Sequence, residues 1–202
     1  MSAKIKLCGM FRDCDIDYVN EAMPDYVGFI VMFPKSHRNI DLETALRLKS
    51  RLSPEIKSVA VSVNAPVGQL AEFAKSGAAD ILQCHGNEDA DYIAKLRELT
   101  GVPIIKAVKV TSAADIENAQ RLGADYLLLD SGTGSGRLFD HSLIDPGKIR
   151  VPFFLAGGLT PENLAQAVRE VRPYAVDLSS GVETNKLKDR EKILAAVREA
   201  RK

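Results

Sequence analysis

The sequence predicts an α/β protein, a single-domain (β/α)8 TIM barrel of near-minimal length over residues 1–202. Three observations carry that expectation. Short runs rich in leucine and β-branched residues recur eight times along the chain. Each is followed by a helical pattern or by a loop long enough to hold one. The runs lack polar/apolar alternation, as strands buried on both faces of a parallel sheet do. Such barrels usually need about 250 residues and about 200 at the lower edge, which leaves little room for inserted domains.

Taken in order, the strand candidates are KIKLC (4–8), YVGFIVM (26–32), KSVAVSV (57–63), DILQC (80–84), PIIKAVKV (103–110), YLLLD (126–130), FFLAG (153–157) and AVDLS (175–179). Amphipathic stretches at 41–52, 68–77, 89–99, 112–123, 161–171 and 189–202 read as helices. Gly77, Gly101 and Gly123 stand where helices end before the next strand. Thr160 reads as an N-cap with Pro161 at the first helical position. A doubly wound open sheet would carry a Gly-rich fingerprint after its first strand, and only Gly9 follows Cys8.

Composition narrows the class. Twenty-seven basic and twenty-seven acidic side chains cancel, and no charge run stands out. Nothing therefore points to nucleic acid or an anionic membrane as partner. Three cysteines (Cys8, Cys14, Cys84) suit free thiols better than a disulfide framework. The N-terminus MSAKIKLCG shows no apolar signal region, and no apolar run approaches bilayer length. The expectation is a cytoplasmic protein acting on a small molecule.

In such a barrel the chemistry gathers at the C-terminal ends of the strands. Those positions hold Cys8-Gly9, Ser36-His37-Arg38, Asn64, Gln83, His85-Gly86, Lys106 or Lys109, Asp130-Ser131, Gly157-Gly158 and Asp177 with Ser179-Ser180-Gly181. Paired glycines after strand seven, with Ser180 and Gly181 after strand eight, expose backbone N–H groups that can hold a phosphate without a metal. Either pair alone could simply make a tight turn; at these two strands together they favour phosphate. Asp130, ending the apolar run YLLLD, is partly desolvated and suited to act as a general acid, though a loop-organising role is common for Asp. The loop SGTGSGRLFD after it lacks the lysine and spacing of a P-loop and reads as a mobile cover for the substrate. Arg38 has the planar fork that suits a carboxylate or phosphate, against the plainer reading of a solvated loop arginine. His85 could be a base, a ligand or a packed supporting group. Adjacent residues on a strand point to opposite faces, so Cys84 and Cys8 should not converge. With no CxxC or HExxH motif, no metal is expected.

The runs KLCG (6–9), GFI with FPKSHR (28–38), SVN (62–64), LQCHG (82–86), LLLDSGTGSG (128–136), FLAGGLTPEN (154–163) and VDLSSGVETNKLKD (176–189) together resemble the phosphoribosylanthranilate isomerase family. The resemblance runs the length of the chain in the right order. It implies tryptophan biosynthesis and an Amadori rearrangement of N-(5-phosphoribosyl)anthranilate to the carboxyphenylamino-deoxyribulose 5-phosphate, with no cofactor. It also implies Cys8 as general base, Asp130 as general acid, and Arg38 on the anthranilate carboxylate. His85 and Asp177 would bind the substrate, Asp177 near the sugar hydroxyls, and the loops after strands seven and eight, with Gly157, Gly158, Ser180 and Gly181, would hold the phosphate. The chain departs from the family pattern at His37, where proline is usual, and at His141, where tryptophan is usual; it contains no Trp. A free thiol has a pKa of roughly 8.5, so the base needs some influence that lowers it or moves its proton on substrate binding. Other readings are another phosphosugar barrel, such as an epimerase, or a silent barrel that binds a phosphoribosyl metabolite. The assembly is expected to be a monomer or a homodimer.

Overall fold

The computed structural model describes residues 2–130 and 143–202. The segment 131–142, with Ser131, the GTGSG loop and His141, lies outside the described residues. Eight parallel strands close on themselves: β1 (Lys4–Cys8), β2 (Tyr26–Val31), β3 (Lys57–Ser62), β4 (Ile81–Cys84), β5 (Ile104–Lys109), β6 (Tyr126–Asp130), β7 (Phe153–Leu155) and β8 (Ala175–Leu178). Each pairs with its sequence neighbour, and β1 pairs with both β2 and β8, so the barrel has no free edge. The (β/α)8 expectation holds, and the eight strand assignments hold to within one or two residues at their ends.

Helices cover the outside: α1 (Asp13–Ala22), α2 (Leu42–Ser50), α3 (Val67–Lys75), α4 (Ala90–Thr100), α5 (Ala113–Ala119), α6 (Pro161–Val171) and α7 (Arg190–Ala200). Among the described residues no α-helix follows β6; a 3-10 turn (Pro146–Lys148) precedes β7. Helix α1 lies outside the stretches that periodicity marks as helical. It presents only a thin apolar face, Ile16 and Val19 among three aspartates, and its start is set by a capping box in which buried Asp15 accepts from Phe11 N and Arg12 N (3.1 and 3.0 Å). Asp41, Asp89 and Asp189 cap α2, α4 and α7 by accepting from backbone N–H groups of the first turn. Thr160 and Pro161 open α6 as expected. Gly101 and Gly123 sit in the left-handed C-cap conformation, and Gly77 has positive φ one residue beyond its cap.

The core divides in two. An inner cluster inside the barrel joins Cys8, Tyr26, Val59, Ile105, Leu128 and Phe154. An outer cluster fills the space between strands and helices and contains Cys84. Alternation along each strand decides the sorting: Cys8 and His85 face inward and Cys84 outward. Burial pushes the Cys84 thiol up to about 12. All three cysteines are free thiols. No helix among the described residues is long and apolar enough to cross a membrane.

Candidate active site

The C-terminal mouth of the barrel opens into a cavity of about 570 Å³. Its wall includes the nine residues that the family resemblance assigns to the site: Cys8 and Asp130, then Arg38, His85 and Asp177, and then Gly157, Gly158, Ser180 and Gly181. Six of the eight strands, or the loops after them, supply these groups, so only closure of the barrel brings them together.

Cys8 ends β1, and two glycines make its position possible. Gly28 stands opposite it on β2. A Cβ at Gly28 would sit 2.7 Å from Cys8 Sγ and 3.1 Å from Cys8 Cα. Gly9 turns the chain away at φ 82°, and a Cβ there would lie 2.5 Å from Arg38 Cδ. Gly9 therefore makes room for Arg38 as well as freeing the thiol.

Burial raises the Cys8 pKa above its ordinary value; Lys6 opposes this, Asp177 reinforces it and Lys188 again opposes it. The resting group is therefore a thiol at neutral pH, and the influence expected to lower its pKa does not prevail in the free site. Two buried ammonium groups nonetheless face Cys8, and neither was singled out from the sequence. Lys6 is fully buried beneath it, with Nζ 2.9 Å from Asp177 Oδ1. Lys188 Nζ donates to Ser179 O (3.0 Å) and lies 2.7 Å from Glu183 Oε1. Lys6 had a readable signal, because a residue two before Cys8 on a strand shares its face. Lys188 and Glu183 had none: they meet through a small antiparallel hairpin, Glu183–Thr184 with Leu187–Lys188, turned by Asn185 and Lys186 at positive φ.

Arg38 is not a solvated loop arginine. Its Nε and Nη2 donate to Glu183 Oε1 and Oε2 (2.7 and 2.6 Å), a bidentate pair at the cavity wall. Burial alone would raise the Glu183 pKa, but Arg38 and Lys188 hold it below the ordinary glutamate value. His37, the departure from the family pattern, ties the loop after β2 to the same hairpin: its Nε2 lies 3.3 Å from Lys186 O.

Across the mouth, Gln83 Nε2 lies 2.8 Å from His85 Nδ1. With the amide donating, the ring proton sits on Nε2, which faces Asp130 Oδ2 at 3.8 Å. Burial lowers the His85 pKa despite the nearby Asp130 carboxylate, so the imidazole is neutral at neutral pH. Lys106 does not reach the cavity. Its ammonium is buried on the helix side of β5, on Gly86 O (2.6 Å) and Glu88 Oε2 (2.9 Å). Glu88 also accepts from Asn64 N and Gly86 N (both 2.8 Å), so this pair braces the loops after β3 and β4. Lys109, the last residue of β5, is exposed.

The last two loops form one unit. Gly157 and Gly158 leave β7 with φ of 93° and 70°. After β8 a 3-10 turn (Ser180–Val182) packs so closely on them that a Cβ at Gly181 would lie 1.9 Å from Leu159 O. Ser179 Oγ donates to Cys8 O (3.2 Å), which joins this unit to β1. The cavity thus has a thiol, a carboxylate, a guanidinium and two glycine-containing loops on its wall.

Comparison with known proteins agrees with this geometry. The family model for N-(5'-phosphoribosyl)anthranilate isomerase matches residues 4–199. A relative of that name from Endomicrobium trichonymphae is 43% identical over 200 residues, covering 96% of both chains. The phosphoribosylanthranilate isomerase of Thermotoga maritima superposes with a TM-score of 0.88 at 36% identity, covering 98% of each chain. One solved in complex with reduced 1-(o-carboxyphenylamino)-1-deoxyribulose 5-phosphate superposes with a TM-score of 0.86 at 35% identity, again covering 98% of each. The chain belongs to the N-(5'-phosphoribosyl)anthranilate isomerase family.

Proposed function

We propose that residues 1–202 act as one domain that catalyses the Amadori rearrangement of N-(5-phosphoribosyl)anthranilate in tryptophan biosynthesis, with Cys8 and Asp130 as its proton-transfer pair. The observation that carries this reading is the convergence of Cys8, Asp130 and the β7–β8 glycine loops on one cavity. Family membership supports it.

The geometry suggests a division of labour. The phosphate sits against the backbone amides of Gly157, Gly158, Ser180 and Gly181, where no metal is required. That anchor sets the sugar between β1 and β6. Asp130 protonates the furanose ring oxygen, and the ring opens to a Schiff base. Cys8, as thiolate, removes the C2 proton, and the enolamine tautomerises to the ketose. The neutral His85 steadies Asp130 without competing for its proton. Asp177 accepts from the sugar hydroxyls with the oxygen not held by Lys6. Arg38 keeps its Nη1 donors for the anthranilate carboxylate while Glu183 fixes the plane of the fork. All these groups come from one chain, so turnover needs no second copy, and the assembly is a monomer or a homodimer. The setting is cytoplasmic.

A steady-state assay on freshly generated phosphoribosylanthranilate tests the assignment. Cys8→Ala and Asp130→Asn are each expected to lower kcat by at least about 10²-fold while the circular dichroism spectrum is kept. Wild-type turnover in both variants would refute it.

A further inference from the structure

One fully buried charge has no part in the chemistry above. Lys6 is inside the barrel with no exposed surface, one pleat below Cys8. A buried ammonium is costly and persists only where partners hold it. Its anchor is Asp177 Oδ1 at 2.9 Å, and the two residues stand directly opposite in the β1–β8 register. Residues two apart on a strand share a face, so the same ammonium looks up at the thiol.

We propose that Lys6 is the positioning residue for Cys8: its buried ammonium, anchored on Asp177, holds the thiolate form of the Cys8 side chain. This rests on the assignment of Cys8 as the base. Cys8–SH gives its proton to water in the open cavity. The sulfur then carries a negative charge beside Lys6, and that charge is later quenched by the C2 proton of the sugar. Asp177 sets how much of the lysine is available. In the free site it competes with the thiolate for the ammonium. When sugar hydroxyls donate to Asp177, its hold on Lys6 weakens and the ammonium turns to the sulfur. The raised lysine pKa agrees: burial works against the charge, and Asp177 and Cys8 outweigh it.

The other charged groups around Cys8 do not duplicate this role. Lys188 and Arg38 share the single carboxylate of Glu183, which leaves positive charge on that side of the thiol, and Lys188 favours the thiolate less than Lys6 does. Asp130 and His85 line the opposite wall. Lys6 shares the β1 strand and the inner face of the thiol itself.

The test is the pH profile of Cys8 carboxamidomethylation by iodoacetamide, mapped by mass spectrometry to separate Cys8 from Cys14 and Cys84, over about pH 6–10. Lys6→Met is expected to raise the Cys8 midpoint by about one pH unit or more, slowing alkylation about tenfold below it. Lys6→Arg, which keeps the charge, should restore most of the rate. Asp177→Asn frees the ammonium and should lower the midpoint. A purely structural role for the pair would move Lys6→Met and Asp177→Asn in the same direction, and that result would overturn the proposal. So would a folded Lys6→Met variant with the wild-type profile. If Lys6→Met does not fold, Asp177→Asn decides: an unchanged or raised midpoint overturns the proposal. The pH profile of kcat/KM for Lys6→Arg and Lys6→Met separates the two assignments. An alkylation midpoint that shifts while the kcat/KM limb stays fixed leaves Lys6 as the holder of the thiolate and removes Cys8 as the base.

Discussion

Gly28→Ala asks whether the position of Cys8 depends on an absent side chain. The added methyl carbon would sit 2.7 Å from Cys8 Sγ, 3.1 Å from Cys8 Cα and 3.3 Å from Cys8 Cβ. Ordinary separations between such atoms are about 3.5–4.0 Å, so the sulfur must give way by close to 1 Å. The crowding against the Cys8 backbone cannot be relieved by a rotamer change, because that backbone belongs to the neighbouring strand of a closed sheet. Gly28 does not have positive φ, so the penalty is steric and not one of backbone strain. Overpacking of this kind costs about 1–3 kcal/mol. In a domain of this size each kcal/mol moves Tm by about 2–4 °C. A 1 Å displacement of a reacting group costs about 10²-fold in rate, so kcat/KM should fall by that order. The assay pairs thermal unfolding with steady-state turnover, in a double-mutant cycle with Cys8→Ala. Removing the sulfur relieves the tightest clash but leaves the crowding at the backbone, so the stability penalties should be subadditive by about 1 kcal/mol. Wild-type stability and turnover in Gly28→Ala would refute the argument that this glycine seats the thiol. Strict additivity would place the strain elsewhere.

Gly181→Ala places a methyl on Leu159 O and must part the β7 and β8 loops; KM for the phosphorylated substrate should rise at least about tenfold, measured against kcat. Glu183→Gln should destabilise the protein in a pH-dependent way. Arg38 and Lys188 hold the Glu183 pKa below its ordinary value against the effect of burial. Its contribution is therefore fully present above about pH 4.5 and is lost as pH falls through the lower folded-state value. The gap in Tm between wild type and Glu183→Gln, about 6–12 °C for a loss near 3 kcal/mol, should be widest at neutral pH and should close below about pH 4. A gap that is constant with pH would show that the charge is not what matters.

The strands were legible because each is a continuous apolar run whose length and composition are local properties. Helix α1 was not, because its start depends on a buried carboxylate, Asp15, that accepts from two backbone N–H groups and the Arg12 guanidinium. Among polar residues, position at a strand end was enough to place Cys8, Asp130 and Asp177 on the cavity wall. Lys106, at an equally promising place, proved to face the helices, since its inward neighbours are Ile105 and Ala107. Arg38 was found, but Glu183, which shares its charge, was not; 145 residues separate them.

By itself the sequence determined the order of the eight strands and most of the helices between them, the ends of the strands where chemistry gathers, and the family. Those follow from periodicity, capping residues and short motifs, each confined to a few neighbouring positions. Tertiary structure alone decided that Lys6 meets Asp177, that Gly28 yields space to Cys8, and that Arg38 and Lys188 share Glu183. Each of these depends on the register between β1 and its two neighbours or on how the closing hairpin folds back over the mouth. Register is set by barrel closure across the whole chain, and no short stretch of residues contains it.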